Sequence, residues 1–426
     1  MRDEILKLGF GFLLVLAVFA SDLSSAADKI PIVIGHRGAS GFRPEHTLVA
    51  YRVAITQGAD FIEPDLVPTK DGHLIARHEN ELSGTTDIAS RPEFADRKTT
   101  KLIDGVAFTG WFSEDFTLEE IKTLRAKERI PDVRPLNTRF DGLFEIPTLR
   151  EVLQLVKSAE KRTGQRIGIY PETKHPTYFQ KEGTFLNGTA VNMSLGEMLI
   201  KTLVEEEFAD PKRVFIQFFE FENLIELQQE SMPSQGIDLP LVQLYGDITD
   251  PFLQPEDNFS RPYDMLFNAS QGADLSAIYG DLVDQVDGGI TPETGYGDLV
   301  SEDVFAFIAT TYAEGIGPWK NSFLLREALE EPVDGNGDGK AEIGSQLTGE
   351  LHPLLFRAIK AGLLVHPYTL RAEERLLTLH ANGLAQSIAG EVVQLLGLGV
   401  NGFFIDQPIH GVRARDRFLK LNAQWR

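Results

Sequence analysis

The sequence predicts an α/β fold, namely an eight-stranded TIM (β/α)8 barrel with a small inserted subdomain after the second strand. Short apolar runs rich in β-branched residues end in polar residues, and most are followed by segments with helical periodicity. Repeated strand-then-helix units require a parallel sheet. A length of 426 residues suits an eightfold barrel better than two doubly wound domains.

Eight segments have strand character, and the segments between them have apolar residues at a spacing of three and four. The predicted strands are 30–34, 60–66, 73–78, 166–170, 213–219, 240–245, 363–365 and 401–405. The predicted helices are 47–58, 195–208, 222–230, 301–313, 352–361 and 387–398.

Two regions break this repetition. Residues 79–141 are charged, contain Gly and Pro, and carry one short helical pattern at 118–127, so we interpret them as an inserted cap. Residues 246–300 are rich in Asp, Gly and Pro, and we expect them to loop over one face of the barrel.

The first 27 residues have the pattern of a secretory signal peptide. Residues 8–20 form an apolar run of 13 residues, and small residues follow at 25–27. The run is shorter than the ~20 residues that span a bilayer. Asp3 and Glu4 make the start less basic than usual, so a retained membrane anchor is the alternative. We expect a periplasmic or secreted protein whose mature part, residues 28–426, is one barrel domain without stable membrane association.

Composition excludes several classes of function. The chain has 41 Lys and Arg against 63 Asp and Glu, a formal charge of −22, which argues against nucleic acid as a partner. The absence of Cys excludes disulfides, thiolate metal sites and Cys nucleophiles. The oligomeric state stays open.

Polar residues at the ends of predicted strands are the candidates for chemistry, because a barrel of this kind has its site at the carboxyl ends of its strands. Glu63 and Asp65 are two residues apart and share one face of a strand, as do Glu172 and Lys174. Three converging carboxylates suit a hard cation such as Ca²⁺ or Mg²⁺. On spacing alone, a solvated strand end and an ordinary Glu172–Lys174 ion pair explain these residues equally well.

Two histidines, His36 and His78, follow other predicted strands. A single histidine is usually a packing or surface residue. As a pair beside acidic strand ends, the two imidazoles could act as general acid and base.

In order along the chain, these residues form a series that resembles the glycerophosphodiester phosphodiesterase family. The series is His36-Arg37-Gly38-Ala39-Ser40-Gly41, Pro44-Glu45-His46-Thr47, Glu63-x-Asp65, His78-Glu79, Glu172-x-Lys174, residues 217–220 and residues 402–408. Residues 313–320 are similar to the exported, periplasmic branch of the family. The resemblance covers nearly all of residues 28–426.

The resemblance implies a TIM barrel that hydrolyses glycerophosphodiesters, its small-molecule substrates, to sn-glycerol 3-phosphate and an alcohol with the help of a metal, Ca²⁺ or Mg²⁺. The roles that it implies are His36 and His78 as the general acid and base, Glu63, Asp65 and Glu172 as metal ligands, and Arg37 and Lys174 at the phosphate. The family mechanism implies attack by the glycerol 2-hydroxyl, a cyclic phosphate, and its opening by water.

Other positions have two interpretations each. Tyr368 and Phe219 are either walls of the glycerol pocket or core aromatics. Glu45 either orients His36 or reaches the metal through water, or else is an acid at a helix N-terminus. Gly38 either brings backbone close to an anion or makes a simple turn. We expect structural or substrate-proximal positions for His46, His175 and His366.

Residues 334–345 resemble an EF-hand calcium loop. Oxygen donors occupy its first, third, fifth and ninth positions with Gly at the sixth, and the ligand set predicted from this pattern is Asp334, Asn336, Asp338, Lys340 and Glu342. Ser345 replaces the usual bidentate Glu at the twelfth position. A second, structural Ca²⁺ site and a solvated acidic turn both fit.

Two other functions compete with a glycerophosphodiesterase. A related barrel phosphodiesterase acting on intact phospholipids is one, although a cap after His78 favours a small deacylated diester. A non-catalytic protein that binds a metal or a sugar phosphate is the other, although such a protein would need neither histidine.

Overall fold

The computed structural model describes residues 30–248 and 259–423, so the predicted signal peptide lies outside the described residues. Within them, the chain forms an α/β barrel of parallel strands, and the predicted fold class is confirmed. No helix in the described part of the chain is long and apolar enough to cross a membrane.

The strands are, in chain order, β1 Ile32–Gly35, β2 Phe61–Ile62, β3 Asp65–Pro68, β4 Leu74–Ala76, β5 Thr99–Ile103, β6 Val106–Gly110, β7 Gly168–Ile169, β8 Glu172–Thr173, β9 Ile216–Phe218, β10 Leu241–Tyr245, β11 Gly315–Pro318, β12 Leu324–Val333, β13 Ile343–Leu351, β14 Leu364–Val365 and β15 Gly402–Ile405. The helices are α1 Leu48–Thr56, α2 Leu118–Ile121, α3 Leu149–Thr163, α4 Leu195–Glu205, α5 Phe221–Glu226, α6 Met232–Ser234, α7 Tyr263–Ser270, α8 Leu275–Tyr279, α9 Leu282–Gln285, α10 Glu302–Thr311, α11 Lys320–Phe323, α12 Leu354–Lys360, α13 Ile388–Gly397 and α14 Pro408–Ala423.

The barrel wall has eight parallel positions, because β2 with β3 and β7 with β8 are each one strand interrupted in the middle. The order around the wall is β15, β1, β2/β3, β7/β8, β9, β10, β11 and β14. The circle closes between β14 and β15, where Asn401 N–H donates to Val365 O at 3.1 Å and Phe404 N–H donates to Pro367 O at 3.0 Å. The carboxyl ends of all eight strands therefore meet on one face.

Antiparallel hairpins project from this wall. The predicted strand at 73–78 is β4, which pairs antiparallel with β3 and is not a wall strand. Residues 79–141 lie between β4 and α3 and contain the β5–β6 hairpin, the short helix α2 and several 3-10 turns. The long β12–β13 hairpin, which the sequence patterns did not predict, extends from the end of β11.

Local sequence explains where the helices begin and end. Helix α3 begins with a capping box in which Thr148 and Glu151 exchange hydrogen bonds, and it ends at Gly164 with φ of 71°. Its apolar stripe is buried, with Val152, Leu153 and Val156 fully covered. Region 246–300 is less irregular than expected, since its described part contains α7, α8 and α9.

Candidate active site

Three carboxylates converge where the second and third wall strands are interrupted. Glu63 follows β2, Asp65 begins β3, and Glu172 begins β8 as the register partner of Asp65. All three are buried, and each offers an oxygen within 4.8 Å of the others. The predicted i, i+2 geometry of Glu63 and Asp65 thus directs both carboxylates to the same place as Glu172.

The donor set fits a hard cation. Burial raises the pKa of Glu63, and the neighbouring Asp65 carboxylate acts in the same direction. Burial also raises the pKa of Glu172, to about 8. Asp65 Oδ1 is buried and accepts no hydrogen bond. Buried acids that repel one another and leave an oxygen unused form the kind of all-oxygen site that Ca²⁺ or Mg²⁺ prefers.

Two cations stand beside the carboxylates. Lys174 Nζ pairs with Glu172 and lies 3.7 Å from Asp65 Oδ1. Arg37 Nε lies 3.2 Å from Asp65 Oδ2, and its backbone N–H donates to Glu63 Oε2 at 2.6 Å. Arg37 has φ of 55°, a left-handed conformation that is costly for a residue with a side chain. The turn after β1 therefore directs both a backbone donor and a guanidinium toward the same cluster.

His36 lies at the carboxyl end of β1 and has a carboxylate partner. Its Nδ1 lies 2.6 Å from Oδ1 of Asp406, which follows β15, the neighbouring strand of the wall. Burial lowers the pKa of His36 to about 4, with Arg37 acting in the same direction and Asp406 opposing it. The imidazole is therefore neutral at pH 7, with Nδ1–H directed to the carboxylate and Nε2 left as the basic atom.

His78 has the same arrangement. Its Nδ1 lies 2.5 Å from Oε1 of Glu79. Burial lowers the pKa of His78 to about 3, and Arg37 and Lys174 add to this effect. Both histidines line one cavity, so the structure brings together two neutral imidazoles that each have a carboxylate on Nδ1.

The cavity has a volume of about 550 Å³ and is lined by Glu63 and Glu172 of the cluster, both histidines, Arg37 and Lys174. Phe219 and Tyr368 line it and contact each other edge to face, with ring centroids 5.9 Å apart. Lys174 Nζ lies 5.6 Å from the Phe219 ring centroid. The two aromatic residues are therefore wall residues of the cavity and are not enclosed in the barrel core.

The structure changes the interpretation of two positions. Glu45 belongs to no helix, since α1 begins after the cap residue Thr47. It pairs instead with Arg37 Nη1 at 3.1 Å and with Arg129. Gly38, with φ of 87°, packs against the backbone of α1, where a Cβ would lie 2.6 Å from the carbonyl carbon of Ala50. The Gly38 turn is therefore required for strand–helix packing.

The three other histidines that the sequence analysis considered each have a partner in the structure. His46 Nε2 lies 3.0 Å from Asp65 Oδ2, so it orients one of the three carboxylates. His175 lines the cavity, with Nδ1 2.6 Å from Oδ2 of Asp104 in the insertion. His366 is buried in the barrel interior, where its Nδ1 lies 2.8 Å from the Tyr170 hydroxyl.

A second acidic cluster lies at the EF-hand-like loop, which forms the tip of the β12–β13 hairpin. Asp334 accepts backbone hydrogen bonds from Gly337 at 2.7 Å and Gly339 at 2.8 Å. The cluster that could hold an ion consists of Asp334, Asp338 and Glu374. Of the predicted ligands with a carboxylate, Asp334 and Asp338 belong to this cluster and Glu342 does not. Glu374, which lies 29 positions beyond Ser345, was not predicted.

The site also contains residues that sequence patterns did not predict as functional. Asp406 had a local signal, because it is an acidic residue directly after a wall strand. Arg129 and Arg134 had none, because each lies in an irregular segment of the insertion and meets its partners only through the fold.

Comparisons with known proteins agree with this geometry. Residues 36–283 match the model of the Glycerophosphoryl diester phosphodiesterase family. The chain belongs to the glycerophosphoryl diester phosphodiesterase family. The match begins at His36 and includes the three carboxylates and both cations of the cluster.

Individual relatives support the assignment. The chain is similar to glycerophosphodiester phosphodiesterase GDPD6 of Arabidopsis thaliana, with 32% identity over 88% of this chain and 83% of that protein. It is 34% identical to the glycerophosphodiester phosphodiesterase of Haemophilus influenzae over 51% of this chain and 57% of that protein. A solved structure, from Silicibacter pomeroyi, of a candidate glycerophosphoryl diester phosphodiesterase superposes with a TM-score of 0.52 at 16% identity, covering 92% of this chain and 94% of that chain. At this level of identity, the structural similarity shows that the two proteins share a fold.

Proposed function

We propose that this protein is a metal-dependent glycerophosphodiester phosphodiesterase that releases sn-glycerol 3-phosphate and an alcohol by two-histidine acid–base catalysis. The observation that carries the proposal is one cavity lined by two neutral, carboxylate-bound imidazoles, two cations, and Glu63 and Glu172 of the three-carboxylate cluster. Family membership supports the enzyme class. The arrangement of residues supports the mechanism.

In this mechanism, Arg37 and Lys174 bind the phosphate oxygens. Arg37 offers a planar guanidinium for two oxygens, and Lys174 offers a point charge. Burial opposes the charge on Lys174, but Asp65 and Glu172 raise its pKa, so it remains an ammonium. This local positive charge lets an anion enter a protein whose formal charge is −22.

The two histidines divide the proton transfers. One neutral imidazole accepts the proton of the glycerol 2-hydroxyl as that oxygen attacks phosphorus, and the other imidazole, in its protonated form, donates a proton to the departing alcohol oxygen. The phosphate charge favours protonation of an imidazole, because it offsets the effect of Arg37 and Lys174 on the histidine pKa. Water then opens the cyclic phosphate with the two roles exchanged.

The metal is held by Glu63, Asp65 and Glu172 in this proposal. When bound, Ca²⁺ or Mg²⁺ supplies charge stabilisation at the phosphoryl oxygens. His46 keeps Asp65 oriented through its 3.0 Å contact.

A periplasmic or secreted location is part of the proposal. It is supported by the signal-peptide pattern of residues 1–27. We also propose a Ca²⁺ site at residues 334–345. Glu374 would be a ligand there in place of the missing glutamate at the twelfth position of the loop.

The experiment is an assay of purified mature protein with glycerophosphocholine, measuring glycerol 3-phosphate release with Ca²⁺, with Mg²⁺ and with EDTA. We expect release only with a metal, and its loss in His36→Ala. His73→Ala is the matched control, because the His73 side chain is 47% exposed and lies outside the cavity.

Each other outcome excludes part of the proposal. Release in EDTA would exclude the metal, and full activity of His36→Ala would exclude the two-histidine mechanism. Binding of the diester without turnover under any metal would favour the binding-protein alternative. Preferential cleavage of intact phospholipid would favour the phospholipase alternative.

A further inference from the structure

One segment of the insertion, residues 128–137, contacts the carboxylate partners of both histidines. Arg129 donates to both oxygens of Glu79, with Nη1–Oε1 and Nη2–Oε2 distances of 2.6 Å each. The same guanidinium donates to Glu45 through Nε at 2.8 Å and Nη2 at 2.6 Å. A single arginine thus fixes Glu79, which holds His78, and Glu45, which holds Arg37.

Arg134, five residues later, makes the equivalent contact on the other side of the site. Its Nη2 pairs with Asp406, the carboxylate on His36 Nδ1, and its Nε donates to Glu373 Oε1 at 2.5 Å. Its Nη1 donates to the backbone carbonyl of Ser40 at 3.1 Å. The Arg134 side chain is 7% exposed, so these hydrogen bonds replace water almost completely.

The segment itself is held rigidly. Glu128 accepts from Ile130 N–H at 3.0 Å and from Asn137 Nδ2 at 2.9 Å. Asn137 Nδ2 also donates to Ser40 O at 3.2 Å. The two arginines are therefore fixed relative to the loop that follows His36.

The orientation of an imidazole depends on its carboxylate partner, since that carboxylate fixes which nitrogen carries the proton and where the ring points. The buried Asp406 keeps its charge and its place only while it is paired. The Glu79 side chain is 33% exposed, so Arg129 contributes mainly by fixing its position. Burial opposes ionisation of Glu79, but His78 and Arg129 hold its pKa well below the ordinary value.

We propose that the insertion positions both catalytic histidines, through Arg129 acting on Glu79 and His78 and through Arg134 acting on Asp406 and His36. The proposal rests on the proposed function, because it assigns the two arginines as positioning residues of that reaction. On this view the insertion is a part of the acid–base machinery as well as a cover for the cavity.

The test uses Arg129→Ala in the full mature protein with glycerophosphocholine as substrate. We expect kcat to fall about 10- to 100-fold, as is common when the partner of a site residue is removed. KM should change much less, because Arg37 keeps its contacts with Asp65 and Glu63 when Glu45 loses Arg129. Because the Arg129 side chain is 27% exposed, added guanidinium can reach the vacated position and should restore part of kcat, whereas an equal concentration of sodium chloride should not.

Arg125→Ala is the matched control. Arg125 lies in the same insertion, but its guanidinium donates to the backbone carbonyls of Lys122 and Leu124 and lies 3.7 Å from Glu145. We expect Arg125→Ala to have the kcat of the parent protein and to show no change in kcat when guanidinium is added. Arg129→Lys keeps the positive charge and protects folding, but an ammonium cannot form the bidentate contacts, so its kcat should also fall.

The outcomes separate the two proposals. No hydrolysis by the parent protein would overturn the proposed function. Hydrolysis by the parent with unchanged kcat in Arg129→Lys and Arg129→Ala would overturn the positioning role alone. A loss of activity in folded Arg129→Ala that appears only in KM, or that guanidinium does not restore, would also overturn it.

Discussion

Asp264 gives a pH dependence of stability that can be worked out from the structure. It is fully buried in α7, and its Oδ2 accepts from Glu222 N–H at 2.8 Å and from the Tyr279 hydroxyl at 3.1 Å. It thereby anchors the start of α5, directly after Phe219 in the cavity wall. Burial raises the pKa of Asp264 to about 7. The titratable groups whose pKa values are linked to Asp264 are Glu220, Glu222, Tyr279, Tyr296 and Tyr312.

The direction of this pH dependence follows from proton binding by Asp264 in the folded and unfolded states. Between about pH 4 and about pH 7 the folded state holds a proton on Asp264 that the unfolded state has lost, so the free energy of unfolding falls as the pH rises through this window. The folded pKa of about 7 lies about 3 pH units above the ordinary 3.8, and each unit is worth about 1.4 kcal/mol, so the whole effect is about 4 kcal/mol. Above pH 7 the contribution is constant.

Asp264→Asn removes this titration and keeps an acceptor for Glu222. Urea unfolding at about pH 5 and about pH 8 gives the free energy of unfolding at each pH. Between these two pH values, we expect it to fall by about 3 kcal/mol more for the wild type than for the variant. Asp284→Asn, on an exposed residue of α9, should behave like the wild type. Parallel pH profiles of the wild type and Asp264→Asn would refute the reasoning.

Two further predictions concern the cavity wall and the first turn. Phe219→Ala removes an aromatic wall and should raise KM for glycerophosphocholine about 10-fold with kcat little changed, whereas Phe356→Ala, at a residue 52% exposed and outside the cavity, should leave KM unchanged. Gly38→Ala places a Cβ 2.6 Å from the Ala50 carbonyl carbon and should lower the free energy of unfolding by about 3 kcal/mol or more. The control is Gly72→Ala, which is also at positive φ but has no atom within 4 Å of the added Cβ, and it should lower the free energy of unfolding by about 1 kcal/mol. Equal losses in the two variants would exclude a role for the α1 contact.

The sequence could predict seven of the eight wall strands and the acidic residues that line up on them. The wall strand β11 was not predicted, and the strand predicted at 73–78 is the hairpin strand β4. Strand periodicity and parallel topology alone bring Glu63, Asp65 and Glu172 to one place, and they direct His36 to the same face. These positions are set by local patterns and by one topological rule, so no contact between distant segments has to be known in advance.

The partners of those residues could not be predicted in this way. His36 meets Asp406 across 370 positions, and Arg134 meets Asp406 across 272. The β12–β13 hairpin also lacked a clear signal, because most of its residues are exposed or half-buried and do not alternate. Helix α3 was not predicted either, although its capping box and its terminal glycine are visible in the sequence.

The origin of the side chains suggests that binding and proton transfer are separable in this protein. The groups proposed to hold metal and phosphate come from turns and strands of the barrel wall, and two of them, Arg37 and Glu63, are fixed to each other by a backbone hydrogen bond of 2.6 Å. The orientation of the imidazoles depends instead on Arg129 and Arg134, which the wall does not supply. Arg129 also contacts Glu45, but Arg37 keeps its contacts with Asp65 and Glu63 without that pair, so loss of the arginine contacts should lower proton transfer much more than affinity for glycerol 3-phosphate. A fall in kcat that is much larger than the rise in KM is therefore the diagnostic result.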